Sequence, residues 1–575
     1  MTDNYEWMKT NEPQSRTDYS PYTDKQYSNY INDINGGSYS NSSLSLVNFD
    51  LGQIYNSNKY LDSSDLYIVL PITMVAAYRT NSATVAPGTS SSGLCSIKTN
   101  FLNLIHQCDL QINGKTIEST TSFINIARHF QLISEMSTND LLTLGPTLGF
   151  APDGLDNVKS MKYTPAAVAA TAGCPGYGIS NNRISGSPGN QITIDPAQNT
   201  GVANGASQYK VGRYIDTNAQ DNGMTSIVNA AQMGIEFRPY YTRSGHYMIW
   251  HDYAVIKVGH LFESINKIGL VKRLDASIRI WVNTGTVNVT VGQPNQSLAT
   301  GTLNYGLTTA NNTFSNTCPL MINYLPGTGA TGGIPDTVTG IVAGLYINKP
   351  PVTTFNGINL SLSAAQHPLP NCRLYYSQIA VEDSLALKYD SENHNKQIVF
   401  RGVTSSICPN VAAGSNYSQL INAGIVHPTG ILLVPFLSKD TGFSDVQWKS
   451  PFDSCPATTC PVPLTNLQVN VGGNNILQSN LFSNYENFIS QVNLAESLTS
   501  SDFGVSVGLF NQAWWEWSRF YYVNIERSAA ADKMGPRNIN ISFTNGGLLN
   551  VDVMVFIFYS DEFRIDINNG LVNPK

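Results

Sequence analysis

The chain has 575 residues and a mass of 62.6 kDa, which predicts several domains of roughly 100–200 residues each. Charged residues make up only 13% of the sequence, against about 25% in average globular proteins, and hydrophobic residues make up 42%, which excludes extensive disorder. The 33 Lys and Arg residues against 40 Asp and Glu give a net charge of −7, so the whole chain offers no basic footprint for nucleic acid.

The sequence contains no recognisable targeting signal and no paired-cysteine motif. No apolar run reaches the roughly 18 residues of a membrane span, and residues 1–7 lack the basic and apolar regions of a signal peptide. We therefore expect synthesis and assembly inside a cell. No cysteine pair forms a C-x-x-C motif, so we predict buried free thiols and no metal site. The cysteines are Cys95, Cys108, Cys174, Cys318, Cys372, Cys408, Cys455 and Cys460.

The first 45 residues are polar, rich in Tyr, Asn and Ser, and without hydrophobic periodicity. We interpret residues 1–45 as a flexible N-terminal arm. The alternative is an arm that becomes ordered against a neighbouring subunit, with its tyrosines as anchors.

After the arm, short apolar or alternating segments predict β-strands, for example residues 66–72, 276–282 and 551–559. Helical periodicity is convincing only at residues 123–133 and 482–492. The predicted fold class is therefore all-β with a few short helices.

The two predicted helices reveal an internal duplication. Residues 110–117 and 467–476 each read as strand, glycine turn and short strand, and a helix follows each of them. An apolar strand precedes each unit, and an aromatic strand follows each one, at 247–258 and 514–525. A segment that we interpret as a closing β-hairpin comes last, at residues 276–291 and 539–559. Matches in the same order predict two similarly folded units.

The two copies differ mainly in loop length. The first copy carries long Gly-rich insertions at about residues 138–247 and 293–354, far longer than ordinary loops of about 4–6 residues. Such insertions usually lie on one exposed face and carry surface functions. We place the break between the copies at residues 392 and 393.

Catalytic patterns in the sequence do not survive inspection. Residues 504–508 match G-x-S-x-G, but no histidine follows Ser506 to complete a triad. Residues 327–332 match G-x-G-x-x-G, but Pro335 follows where a helix should begin. The pair Gly114-Lys115 lacks the remaining P-loop glycine, and His246 and His251 have the wrong spacing for a metal site. We predict no catalytic, cofactor-binding or metal-binding residues, and no enzyme.

The tryptophans at 514, 515 and 517 allow two interpretations. An exposed cluster would suit glycan stacking, whereas a strand that is aromatic on both faces is normally buried. We favour packing in the core.

Several strings then resemble a known family, the double jelly-roll major capsid proteins of polinton-like viruses and virophages. The resemblance covers most of the chain after residue 45. It rests on FDLGQI at 49–54, NKYLD at 58–62, CRLYY at 372–376, IVF at 398–400, FYYVNIER at 520–527 and PRNI at 536–539.

This resemblance implies two consecutive eight-stranded jelly rolls, the first at residues 46–392 and the second at 393–575. It also implies homotrimers that form pseudo-hexagonal capsomers of an icosahedral virion shell around a DNA genome. Neighbouring capsomers, penton proteins and minor capsid proteins would be the partners, and no cofactor is implied. The alternatives are a single jelly-roll capsid protein of the parvovirus type and a glycan-binding β-sandwich or fibre protein.

The substitution Trp515→Ala separates the core and glycan interpretations. We expect the variant to lose folding or expression, because a large void in a core is not tolerated. Circular dichroism and soluble yield measure this. A folded variant that has lost glycan binding would instead support a lectin.

Overall fold

The structure is a computed structural model. It describes residues 22–39, 44–54, 59–80, 84–85, 95–97, 100–120, 122–137, 139–140, 143, 158–164, 176–179, 182–183, 192–193, 208–213, 241–243, 248–291, 305–322, 338–350, 354–355, 358–359, 367–421, 424–438, 447–449, 462–477, 484–495, 508–510, 515, 519–526, 538–547 and 550–574.

Strands dominate the described residues. In the first half they are β1 (Tyr22–Asn32), β2 (Leu44–Asp50), β3 (Tyr60–Thr80), β4 (Thr84–Val85), β5 (Cys95–Ile97), β6 (Ile105–Ile112), β7 (Lys115–Ser119), β8 (Val158–Thr164), β9 (Gly176–Ile179), β10 (Asn182–Arg183), β11 (Ile192–Thr193), β12 (Gln208–Arg213), β13 (Tyr241–Arg243), β14 (Met248–Lys257), β15 (Leu270–Val271), β16 (Ala276–Asn283), β17 (Gly285–Val291), β18 (Tyr305–Asn312), β19 (Leu320–Ile322), β20 (Val338–Ile347), β21 (Thr354–Phe355), β22 (Ile358–Asn359) and β23 (Arg373–Val381).

In the second half the strands are β24 (Lys396–Val411), β25 (Asn416–Ile421), β26 (Pro428–Leu437), β27 (Leu464–Val471), β28 (Asn474–Asn475), β29 (Tyr521–Asn524), β30 (Ile539–Asn545), β31 (Val551–Ile565) and β32 (Val572–Pro574). The helices are α1 (Ile124–Glu135), α2 (Val258–Leu261), α3 (Glu263–Ile268), α4 (Asp383–Glu392) and α5 (Tyr485–Asn493). No helix in the described ranges is long and apolar enough to cross a membrane.

The second half forms one five-stranded and one four-stranded antiparallel sheet, with β32 paired to β31 beside the main order of the larger one. Their strand orders are β24-β31-β26-β29 and β25-β30-β27-β28. Along β30, buried and half-buried residues alternate, so this strand presents one face to the core. The first eight residues of β31 are all buried, as expected of a central strand covered on both sides. The half is therefore a β-sandwich.

The first half repeats these orders. One sheet runs β2-β16-β6-β7, and the larger 13-stranded sheet contains the order β1-β23-β3 with β14 paired to the other edge of β3. Strand by strand, these match β25-β30-β27-β28 and β24-β31-β26-β29. Within the described ranges, strands up to β23 pair only with one another, and so do strands from β24 onward. The predicted duplication is confirmed.

The predicted glycine turns join equivalent strands in the two halves. Asn113 and Gly114 have φ values of 50° and 71° between the paired residues Ile112 and Lys115. Gly472 and Gly473 have φ values of 61° and 95° in the equivalent turn. Two consecutive positive φ angles define the two-residue hairpin turn that fits the twist of β-strands.

The flexible-arm prediction for residues 1–45 is wrong for its described part. Residues 22–32 form β1, which pairs with β23 at the edge of the large sheet. Tyr30 lies on Tyr375 with ring centroids 5.6 Å apart, and the Arg373 guanidinium lies 4.2 Å from the centre of the Tyr30 ring. The polar sequence gave no signal of this strand, because an edge strand buries little apolar surface and therefore needs few apolar residues. Residues 1–21 lie outside the described ranges.

The two closing hairpins were also predicted wrongly. β16 and β17 follow each other directly but belong to different sheets, and so do β30 and β31. After β16, and again after β30, the chain crosses to the other sheet, so nearness in sequence does not identify the pairing partner at these points. The same crossing occurs in both halves.

The predicted insertion at residues 293–354 contains a central strand. β20 pairs with β3 from Ile347 and Ile72 to Val338 and Thr80, and it also pairs with β17. Val342, Ala343 and Leu345 are buried. The surrounding Gly-rich sequence concealed this apolar run. Of the insertion at 138–247, the described strands β8, β9 and β12 extend the same sheet beyond β18.

Tyr39 fastens the segment that follows β1. Its hydroxyl donates to Asp33 Oδ1 at 2.9 Å and accepts from the backbone N–H of Cys372 at 2.8 Å. We expect Tyr39→Phe to destabilise the fold by about 1–3 kcal/mol, because two polar groups lose their partner. Thermal unfolding and faster amide exchange in β1 would report this. Tyr30→Phe, at an exposed tyrosine, is the matched control, and equal effects of the two changes would contradict the assignment.

Candidate functional site: the contact between the two sandwiches

The residues of the catalytic patterns have structural roles wherever the structure describes them. Gly508, from the G-x-S-x-G match, lies so close to α1 that an added Cβ would come within 2.2 Å of the Ile133 carbonyl oxygen. The neighbouring Leu509 N–H donates to that oxygen at 2.8 Å. Gly114 and Lys115 belong to the hairpin turn described above. Ser506 and residues 327–332 lie outside the described ranges.

The cysteines whose side chains the structure describes, and His106, His129, His251 and His367, are buried, whereas His394 and His427 are exposed. His251 Nδ1 lies 2.9 Å from Thr73 Oγ1, and His367 Nε2 lies 3.0 Å from the Asp252 carbonyl oxygen. Burial raises the pKa of Cys108 and of Cys408 to about 12, so both thiols stay protonated. Free, buried thiols are found at Cys108, Cys318, Cys372 and Cys408.

The cysteine prediction is therefore confirmed for those four positions. Cys174, Cys455, Cys460 and His246 lie outside the described ranges, as does the side chain of Cys95. Among the described residues, no three His, Cys, Asp or Glu side chains could hold a metal ion.

Trp515 is buried, with 2% of its surface exposed. Its indole Nε1–H donates to the Phe520 carbonyl oxygen at 2.9 Å, and its ring stacks on Phe488. The core interpretation is confirmed for this residue, although Trp515 is helical and the strand begins only at Tyr521. Trp514 and Trp517 lie outside the described ranges.

The two sandwiches share one hydrophobic core through α1. Phe130 of this helix has no exposed surface and contacts three rings of the second half. Its ring centroid lies 5.6 Å from that of Phe510, 5.5 Å from Phe520 and 5.8 Å from Tyr522. Aromatic pairs at such distances contribute about 0.5–1.5 kcal/mol each beyond the burial of their area.

A second aromatic contact joins the halves around Trp448. The Trp448 ring lies 6.2 Å from Phe123 of the first half and 5.6 Å from Phe436 of the second. Phe123 in turn packs edge-on against His106. The Trp448 carbonyl oxygen accepts a hydrogen bond from Cys318 N–H at 3.0 Å. Backbone and ring contacts therefore fix this part of the boundary together.

Arg401 of β24 forms ion pairs with two carboxylates of the first half. Its Nε lies 2.7 Å from Glu263 Oε2, and its Nη2 lies 3.4 Å from Glu135 Oε1. Burial raises the pKa of Glu263, but Arg401 and Lys267 outweigh that effect, and the net shift is downward. Glu263 is therefore charged at neutral pH and holds the guanidinium in place.

A second, buried ion pair lies within the first half. Arg128 of α1 is 3.2 Å from Glu118 Oε1, and it also donates to Gln131 Oε1 and to the Leu261 carbonyl oxygen. The Ser264 hydroxyl donates to Glu118 Oε2 at 2.7 Å. Burial raises the pKa of Glu118 to about 7, although Arg128 opposes the shift. Removing one partner of such a pair would leave an uncompensated buried charge.

The connecting helix α4 is bound to the first half. Asp390 accepts from Tyr60 Oη at 2.6 Å and forms an ion pair with Lys272 at 2.9 Å. Tyr389 is fully buried, and its hydroxyl donates to the Leu270 carbonyl oxygen at 3.0 Å.

The segment around β32 crosses back to the hairpin turn of the first half. Asn113 Nδ2 donates to the Gly570 carbonyl oxygen at 2.5 Å, and Lys115 Nζ donates to that of Val572 at 3.3 Å. The Lys272 N–H donates to the Ile567 carbonyl oxygen at 2.9 Å. Hydrogen bonds between residues 567–572 and two segments of the first half thus hold the sandwiches together at this end.

Similarity to known proteins is found in the structure and not in the sequence. No family model matches the sequence, and no curated protein is similar to it. A chain in the cryo-EM structure of the Sputnik virophage is similar in structure, with a TM-score of 0.53 at 10% identity, covering 98% of this chain and 91% of that one. The mavirus major capsid protein aligns with a TM-score of 0.42 at 10% identity, over 98% of this chain and 92% of that one.

The fold is the double jelly roll. The strand orders and the similarity to the Sputnik chain show this fold, as the sequence resemblance implied.

Sequence reasoning missed the residues that join the two rolls. Phe130 was visible as one position of an apolar helical face, but nothing indicated that its partners lie in the other half. Arg401, Glu263 and Glu118 carry no local signal, because their pairing depends on how the rolls pack.

His106 packs against Phe123 at the boundary between the rolls, and its burial makes the free energy of unfolding depend on pH. Burial lowers the pKa of His106 to about 4, so the folded protein keeps this ring neutral. As the pH falls from 6.5 to 4, His106 becomes protonated in the unfolded chain but stays neutral in the folded chain, so the free energy of unfolding decreases. At about 1.4 kcal/mol per pH unit, the loss from this residue is about 3 kcal/mol.

We expect His106→Gln to remove this contribution. The difference in unfolding free energy between wild type and variant should therefore change by about 3 kcal/mol between pH 7 and pH 4, as measured by chemical denaturation. His427→Gln, at an exposed histidine, is the control. A wild-type-minus-variant difference that does not vary with pH would contradict the prediction.

Proposed function

We propose that the protein is a major capsid protein. In this proposal three copies form a pseudo-hexagonal homotrimeric capsomer, and capsomers assemble into an icosahedral shell around a DNA genome. The observation that supports it most is the double jelly roll itself, in which two sandwiches with the same strand orders are joined by a shared core. Two similar rolls per chain supply six similar units per trimer.

The contact between the rolls suits a building block that keeps its shape. Phe130 is enclosed by rings of the second roll, and Arg401 is paired with Glu263 and Glu135. Apolar burial combined with paired charges opposes rotation of one roll against the other. A fixed angle between the rolls is what a pseudo-hexagonal outline requires.

The alternative functions fit less well. A single jelly roll of the parvovirus type contains one sandwich, whereas this chain contains two. A glycan-binding protein needs an accessible aromatic platform, whereas Trp515 is buried. An enzyme is not proposed, since Gly508, Gly114 and Lys115 serve packing and turn formation.

The proposal includes a division of the chain and a set of partners. We place the end of the first roll in α4, near residue 392, and the start of the second at residue 393. The first roll begins with β1 rather than at residue 46, because β1 completes its sheet order. Neighbouring capsomers, penton proteins and minor capsid proteins are the proposed partners, and the virion is the proposed location. Obligate interfaces between such subunits bury about 2,000–5,000 Å².

Light scattering coupled to size-exclusion chromatography tests the proposal. We expect a particle near three times the chain mass of 62.6 kDa, or closed shells visible by electron microscopy. The reason is that subunits of this architecture bury large apolar surfaces on association. A protein that stays monomeric at every concentration would count against the capsid function.

A further inference from the structure

Strand β25 forms an open edge of the second roll. It pairs with β30 on one side, from Asn416 and Thr544 to Ile421 and Ile539. The Ser415 carbonyl oxygen accepts a hydrogen bond from Asn545 N–H at 3.0 Å and therefore points toward β30. Because successive residues of a strand alternate in direction, the backbone groups of Asn416, Ser418 and Leu420 point away from β30.

These backbone groups face solvent. In the part of the chain that the structure describes, no backbone hydrogen bond reaches Asn416, Ser418 or Leu420 from the open side. All three residues are exposed, and Leu420 has 60% of its surface accessible. An edge of this kind is a template for pairing with another chain.

The equivalent edge of the first roll is covered. Ser277 and Asn540 are equivalent positions, because each directly follows the residue that pairs with the last residue before the hairpin turn of its roll. Their pairing partners on the edge strands, Asp50 and Leu420, are therefore equivalent too. By this register, Leu46 and Asn48 of β2 correspond to Asn416 and Ser418.

The cover of β2 comes from the same chain. The Ile34 N–H donates to the Asn48 carbonyl oxygen at 2.9 Å, and Asn35 Nδ2 donates to that of Leu46. The first roll thus shows which groups this edge accepts: a backbone N–H and a side-chain amide from a segment lying beside the strand.

The open edge also lacks protection by charge. The outward residues of β25 and β30 are all uncharged: Asn416, Ser418, Leu420, Asn540, Ser542 and Thr544. The equivalent face of the first roll carries Asp50 and Arg279. Edges that must stay free usually carry charges, proline or a bulge. Depletion of charge is instead typical of the centre of protein interfaces.

We propose that the β25 edge is a contact between subunits, covered by a segment of a second copy of this chain. That segment lies beside β25 as an added strand: it donates hydrogen bonds to the carbonyl oxygens of Asn416 and Ser418, as residues 34–35 do to β2, and accepts hydrogen bonds from the outward N–H groups of β25. It also packs against Leu420. This inference rests on the proposed self-assembly and identifies one surface for it. The uncharged face removes the repulsion that two chains of net charge −7 would otherwise meet there.

Two variants test the contact in the full chain. Leu420→Lys places a charge on the edge, and Ser418→Pro removes an outward N–H that makes no bond to β30, a position where an edge strand tolerates proline. We expect each to weaken trimer formation at least tenfold, as measured by light scattering over a dilution series, with unchanged circular dichroism. Leu387→Lys, at a 73%-exposed leucine of α4, is the matched control and should associate like the wild type.

Hydrogen exchange on the wild type gives a second reading that does not depend on the variants. The amides of Asn416, Ser418 and Leu420 should exchange slowly in the trimer and at least tenfold faster in dissociated chains. A wild-type trimer with fast exchange at these amides, or edge variants that associate normally, would overturn this contact and leave the capsid proposal standing. A wild type that never associates would refute both.

Discussion

Phe130 has to fit between two sandwiches at once, and the packing of the rolls depends on that constraint. Its ring closes the core of the first roll while contacting Phe510, Phe520 and Tyr522 of the second. Any change in the angle between the rolls would open a void around this side chain. Voids in close-packed cores are costly, so the angle is fixed by packing.

Ion pairs across the boundary further restrict how the two rolls are oriented. Arg401 reaches across the boundary to Glu263, the residue before Ser264, whose hydroxyl donates to Glu118. The ion pair at the boundary and the buried Glu118–Arg128 pair are thus connected through two neighbouring residues of α3. Buried ion pairs add little net stability because desolvation offsets their attraction, but breaking one leaves a buried charge without its partner.

Features that depend on the local sequence were predicted correctly, whereas features that depend on contacts between distant parts of the chain were not. The hairpin turns, α1, α5 and the two-copy organisation follow from apolar periodicity and glycine positions, which act within a few residues. The placement of β1 and β20 depends on partners hundreds of residues away, and the crossing from β16 to β17 depends on which of two sheets each strand joins. The core position of Trp515 was predictable from the aromatic residues around it in the sequence, whereas the Arg401 contact was not, because its partners lie in the other half.

The hydrogen bond from Asn113 to the Gly570 carbonyl oxygen joins groups 457 positions apart along the chain. A ribosome adds about 5–20 residues per second, so roughly 20–90 s separate the synthesis of the donor from that of its acceptor. During this interval the first roll can complete its own sheets while the surface around Phe130 remains uncovered. Newly made chains therefore pass through a period in which chaperones, or other nascent copies, can reach the surface that the second roll later closes.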